Sequence, residues 1–199
     1  YMLPNYMQIW GISQALGATV KPFRLREEQG WQPDLDELRS LVTSRTKIIS
    51  ICNPNNPTGI TLYDEALDEI ARLARESDAW LMADEVYRGA ELNGIETPSL
   101  WGRYEKVVVT GGLSKAYGMP GLRIGWLVGP GEFIADAWSH SDYTSIVPGV
   151  LSDRAATFVL EGDLRERVFG RNRAMLRENL ATLQQWIAEQ NGLLNLTPP

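Results

Sequence analysis

Three short polar clusters, each following an apolar run, hold the residues of this chain best suited to chemistry. They are Asn53-Pro54-Asn55-Asn56-Pro57-Thr58-Gly59, Asp84-Glu85-Val86-Tyr87 and Gly111-Gly112-Leu113-Ser114-Lys115. An exposed lysine has a pKa of ~10.4 and is a poor nucleophile at neutral pH, but partial burial among cations frees the amine to form an imine with an aldehyde. Lys115 ends a Gly-Gly-Leu-Ser turn, and Arg123 follows it further along the chain. Asp84 closes the run Trp80-Leu81-Met82-Ala83. An acid there is either a turn cap or a charge with a cationic partner. A heterocyclic nitrogen that must stay protonated needs such an anion, and the pair makes the ring a stronger electron sink. Tyr87 suits a phenolate oxygen on the same ring, although a packed tyrosine with a wet hydroxyl is the ordinary alternative. The asparagine–proline cluster is turn chemistry first, and its Asn-Pro steps are where cis peptides occur. Taken singly, a loop lysine is usually solvated surface.

The elements between these clusters decide whether they meet. Thr19 to Leu25, Lys47 to Cys52, Ala79 to Ala83, Lys106 to Thr110 and Ile124 to Val128 read as strands, the second of them buried on both faces. Leu35 to Val42 reads as a short helix introduced by Pro33-Asp34. Asp64 to Arg75 reads as another, with Leu67, Ile70, Leu73 and Ala74 on one face. After Pro130 helical periodicity dominates. Leu164, Val168, Leu176, Leu180, Leu183 and Ile187 stripe one long helix from about Asp163 to Gln190. Strands alternating with helices predict an α/β fold with a mostly parallel sheet flanked by helices. Ligands of such sheets sit beyond the carboxyl ends of the strands, which is where all three clusters fall.

Composition narrows the partners. The 199 residues are 44% hydrophobic and 22% charged, with a formal charge of −6, which argues against nucleic acid or an anionic membrane as the main partner. No apolar run reaches the ~20 residues of a membrane span, no basic-then-apolar leader opens the chain, and the cytoplasm is the expected location. Cys52 is the single cysteine, so no intrachain disulfide or multi-cysteine metal site is expected, and it reads as a buried, inert thiol. His140 is the single histidine, too few for a zinc triad. Trp10, Trp31, Trp101, Trp126 and Trp186 read as core or interface, and Glu65, Asp68, Glu69, Arg72 and Arg75 as an exposed, ion-paired helix face. Tyr1-Met2-Leu3-Pro4 and Thr197-Pro198-Pro199 do not look like natural termini, so a piece of a longer polypeptide is expected.

Asn-Pro-x-Asn-Pro-Thr-Gly, then Ala-Asp-Glu-Val-Tyr, then Leu-Ser-Lys-Ala-Tyr-Gly-Met-Pro-Gly-Leu-Arg-Ile-Gly-Trp, in this order, is similar to the class I/II aminotransferases, which are fold-type I enzymes dependent on pyridoxal 5′-phosphate (PLP). The resemblance implies a large, PLP-binding domain over residues 1–162 and a long interdomain helix over 163–199 leading to a small domain. It implies that Lys115 forms the cofactor imine and shuttles a proton between substrate Cα and the cofactor. It further implies that Asp84 pairs with the pyridine nitrogen and that Tyr87 and Asn56 hydrogen-bond the ring oxygen O3′. Arg123 and Ser114 match phosphate ligands, Tyr6 the aromatic residue stacked on the ring, and Asn56–Pro57 is expected to be cis. Many relatives carry a phosphate-binding serine where this chain has Gly112. The implied reaction moves an amino group between an amino acid and a 2-oxo acid, in a homodimer. The motifs serve the cofactor, so a lyase, decarboxylase, racemase or oxidase on the same scaffold stays open, as does the PLP-binding sensor part of a transcription regulator.

Overall fold

A computed structural model of the chain describes residues 1–190 and residue 192. In chain order the elements are Met2–Leu3 (β1), Gln8–Ala15 (α1), Phe23–Arg26 (β2), Gln32–Pro33 (β3), Leu35–Leu41 (α2), Ile48–Cys52 (β4), Asp64–Glu76 (α3), Trp80–Asp84 (β5), Val107–Gly112 (β6), Gly125–Val128 (β7), Gly131–Ser139 (α4), Val150–Leu160 (α5) and Gly162–Ala188 (α6). The main sheet has the order β4-β5-β6-β7. Its first three strands are parallel and β7 runs antiparallel along β6. A smaller sheet of order β1-β2-β3 joins a parallel pair to an antiparallel one.

The two-sided apolar character of β4 and β6 is explained by burial. Ile49, Ile51, Cys52, Val107, Val108 and Val109 are all buried, as expected for strands covered on both faces. Helix α3 lays Leu67, Ile70, Leu73 and Ala74 into the same core, none more than 4% exposed. Asp34 caps α2, its side chain accepting from the Glu37 backbone N–H at 2.8 Å. The charged face of α3 is only partly free-standing. Glu69 bridges Arg72 on its own helix and Arg39 on α2, and Asp64 and Asp68 both pair with Arg103.

Two readings of the sequence need correction. The strand expected over Thr19 to Leu25 starts only at Phe23, because Pro22 has no N–H for a ladder and Gly17 turns the chain at φ +83°. The stripe read for the long helix is packed only in part, Val168 being the member that lies against buried residues. Leu164, Leu176 and Leu183 are exposed, and the buried residues of α6 are Phe169 and Arg173. Hydrophobic period alone locates a stripe but not the surface it meets. The sequence reading also left α1, α4 and α5 undivided or unassigned. None of the five tryptophans named above is fully buried, and Trp101 and Trp186 are exposed.

Phe169 is 0% exposed and anchors a second core with Leu113, Ala116, Tyr117, Ala156 and Val159. It rests on Gly89, whose φ of +104° and missing side chain admit the ring. Its ring also packs on Tyr117, and through that contact α6 is docked against the turn that carries Lys115.

Candidate active site

In parallel register Cys52 pairs with Asp84 and Asp84 with Thr110, so the ends of β4 and β5 are level and β6 runs two residues further. The three polar clusters therefore leave the sheet side by side, and the convergence expected from the sequence is found. Asp84 and Gly111-Gly112 are themselves the last residues of β5 and β6 rather than the first loop residues.

Lys115 owes its placement to its neighbours. Leu113, Ala116 and Tyr117 are buried while Lys115 is exposed. The turn is closed by Gly118 N–H on the Lys115 carbonyl (2.8 Å) and Met119 N–H on the Leu113 carbonyl (2.9 Å). The Asn172 amide of α6 holds the Ala116 carbonyl at 2.9 Å. A buried turn thus projects one amine outward. Glycine at 112 fits a close approach, since a Cβ there would lie 3.1 Å from the Ile124 carbonyl oxygen.

Asp84 is half-buried. Its Oδ1 accepts from the Val86 N–H at 3.2 Å and from the Thr110 hydroxyl at 3.0 Å. Burial pushes its carboxyl above the ordinary range, while those two donors and the nearby Lys115 charge pull it back. Lys115 and Asp84 are thus within electrostatic reach of one another. The Tyr87 hydroxyl accepts from Asn56 Nδ2 at 3.2 Å. Burial, then the neighbouring Cys52 and Asp84, push the Tyr87 phenol upward. Asn56 is held by its loop, in which Asn55 donates to the Thr58 hydroxyl (2.8 Å) and the Pro4 carbonyl (3.2 Å). The Asn56–Pro57 bond is cis, as are Asn53–Pro54 and Leu3–Pro4.

Arg123 adopts a left-handed backbone (φ +55°) and directs its guanidinium to the Ser114 hydroxyl at 3.4 Å and the Pro120 carbonyl at 3.0 Å. A non-glycine residue in that region costs ~1 kcal/mol or more, so this is where strain is found beside the site. Tyr6 is 58% exposed and lies near Tyr87 at the rim. The phenol of Tyr1, pushed up to about 12 by burial and by Cys52 and Asp84, is, like that of Tyr87, within electrostatic reach of Asp84. Sequence reasoning missed both Tyr1 and Thr110. Nothing in the local sequence marks the first, and the second is visible only once the strand register is known. His140 bonds the Asp136 carbonyl at the end of α4 and is a helix-end histidine.

The donor set fits an aromatic aldehyde bearing a ring nitrogen, a phenolic oxygen and a phosphate. Both protein hydrogen bonds to Asp84 fall on Oδ1, and among the described residues no donor reaches Oδ2. The Tyr87 hydroxyl receives a bond from Asn56 and retains its own proton for an oxygen. The Arg123 guanidinium beside a hydroxyl suits phosphate, and Lys115 presents a primary amine. Among the described residues no cluster of three or more His, Cys, Asp or Glu suits a metal ion.

Fold and site together define a fold-type I domain for PLP. Residues 2–198 match the family described as Aminotransferase class I and II, and the chain belongs to that family. It is 29% identical over 196 residues to capreomycidine synthase of Streptomyces vinaceus, covering 98% of this chain and 50% of that protein. It is 30% identical over 202 residues to arginine–pyruvate transaminase of Pseudomonas aeruginosa, again 98% and 50%. Among solved structures, a PLP-dependent aminotransferase from Streptococcus suis superposes over 100% of this chain and 52% of its own, at a TM-score of 0.90 and 38% identity. Aspartate aminotransferase of Thermus thermophilus gives 0.89 at 30% identity, over 99% and 52%. The chain spans about half the length of these relatives.

Proposed function

We propose that the protein is a PLP-dependent aminotransferase moving an amino group between an amino acid and a 2-oxo acid. The observation that carries this reading is the meeting of Asp84, the Asn56–Tyr87 pair and Lys115 at the ends of three parallel strands. When bound, PLP supplies an aldehyde carbon that takes up amines and a protonated ring that withdraws electrons from them. Lys115 Nζ is the amine that would bond the cofactor and the base that would move the proton at substrate Cα. Asp84, through Oδ2, would pair with the ring nitrogen and keep it protonated. The Tyr87 hydroxyl and the Asn56 amide would hold O3′, and Arg123 with Ser114 would hold the phosphate. Tyr6 sits at the rim, where its ring suits contact with cofactor or substrate.

Residues 1–162 form the cofactor-binding unit under this reading and the long helix leads out of it. The stretch beyond 190, apart from residue 192, lies outside the described residues. Trp138, Tyr143, Ile146, Val147, Val150, Leu151 and Phe158 are exposed apolar side chains in one segment, and a second copy of the protein is the cover we assign to them. A chain with one cysteine requires no oxidising compartment, which supports a cytoplasmic location.

The test uses the protein at its full natural length with an amino acid and a 2-oxo acid. Amino transfer to the oxo acid, and borohydride-fixed cofactor that disappears in Lys115→Ala, are expected. Fixed cofactor that persists in Lys115→Ala would remove the assignment of that lysine. Release of ammonia or carbon dioxide in place of amino transfer would favour a lyase or decarboxylase on the same scaffold.

A further inference from the structure

We propose that Thr110 is a positioning residue for Asp84, its hydroxyl locking the carboxylate so that one oxygen stays free, and charged, for the cofactor's ring nitrogen. This rests on the assignment of Asp84 to that nitrogen. Thr110 is the register partner of Asp84 across the β5–β6 ladder, and its Oγ1 donates to Asp84 Oδ1 at 3.0 Å. The Val86 N–H donates to the same oxygen at 3.2 Å. Two donors on one oxygen fix rotation about the Cβ–Cγ bond and leave Oδ2 as the outward atom.

The strand has no need of a hydroxyl at this place. Thr110 continues Val107-Val108-Val109, and a valine would satisfy the β-branched, apolar pattern equally well. What threonine adds is a donor whose direction is set by the backbone, because a β-branched side chain has few rotamers. Burial of Asp84 works against its charge. The titratable groups around it are Lys115, whose charge favours the carboxylate, and Tyr1, Cys52, Glu85 and Tyr87, none of which donates to it. Of its two hydrogen-bond donors one is main chain, so the Thr110 hydroxyl is the donor that the choice of side chain controls.

The experiment compares Thr110→Val, Thr110→Ser and Asp84→Asn at full natural length, loaded with PLP carrying 15N at the ring nitrogen. The readouts are the pH at which that nitrogen loses its proton, from its 15N chemical shift, and the cofactor dissociation constant by equilibrium dialysis. Thr110→Val should lower the titration midpoint by about one pH unit and weaken cofactor binding about tenfold, as loss of a hydrogen bond to a charged acceptor implies. Thr110→Ser, which keeps the donor, should stay within about twofold of the parent. If Thr110→Val does not fold, Thr110→Ala carries the same expectations. A hydroxyl-free variant with the parent's titration and affinity, beside an Asp84→Asn that loses both, would overturn the role of Thr110 alone. An Asp84→Asn that changes neither would overturn the underlying assignment of Asp84.

Discussion

Replacing Gly89 by alanine tests how the long helix is fastened to the site. The backbone at Gly89 has φ +104°, and a methyl there would come within 2.8 Å of three carbons of the Phe169 ring. The ring has little room to yield. It is 0% exposed, packs on Tyr117 with centroids 4.6 Å apart, and lies under the guanidiniums of Arg165 (4.5 Å) and Arg173 (5.4 Å). The Gly89 N–H is in turn held by Glu91 Oε2 at 2.8 Å, which opposes a backbone flip. Overpacking a filled core costs ~1–3 kcal/mol and an unfavourable backbone region a similar ~1–3 kcal/mol, so Gly89→Ala should destabilise by about 2–6 kcal/mol. Urea unfolding of the variant gives this number directly. Phe169→Ala alone should cost ~3–5 kcal/mol, and the double variant should fall short of the sum by ~1–3 kcal/mol, since the ring that clashes has gone. A Gly89→Ala protein within about 0.5 kcal/mol of the parent, or strict additivity in the double variant, would refute the close contact.

Two further outcomes follow from the site. In the cofactor-free protein the Asp84 carboxyl is raised above its usual 3.8, so the native state holds that proton more tightly than the unfolded chain. The contribution of Asp84 to stability is then greatest below about pH 3.8 and falls as pH rises through the folded pKa. Asp84→Asn should flatten the stability–pH curve in that window; curves that stay parallel would contradict the burial assigned to this carboxyl. Cys52 is 1% exposed and its thiol is pushed up to about 12, chiefly by burial. It should resist aromatic disulfide reagents in the folded protein and react fully in denaturant, and prompt labelling of native protein would show the thiol to be open.

The chemistry was legible because its residue types are specific and close to one another in sequence. Asp84, Tyr87 and Lys115 each stand within a few residues of a strand end, and the order of apolar runs and polar clusters implied a parallel sheet with its ligand beyond the strand ends. Helix α3 was readable for the same local reason, its apolar spacing being also its packed face. The long helix was found by period, but its packed face was read only in part. Phe169 is buried because Gly89 leaves room for its ring, a fact held in a residue far away in the chain.

The sequence by itself determined the α/β alternation, the three clusters and the family they belong to, since these depend on short-range pattern. Only the tertiary structure decided that Cys52, Asp84 and Thr110 stand level, that both hydrogen bonds to Asp84 fall on one oxygen, and that Tyr1 comes near that carboxylate. Strand register and the approach of distant segments are set by packing across the whole core. No local spacing encodes them.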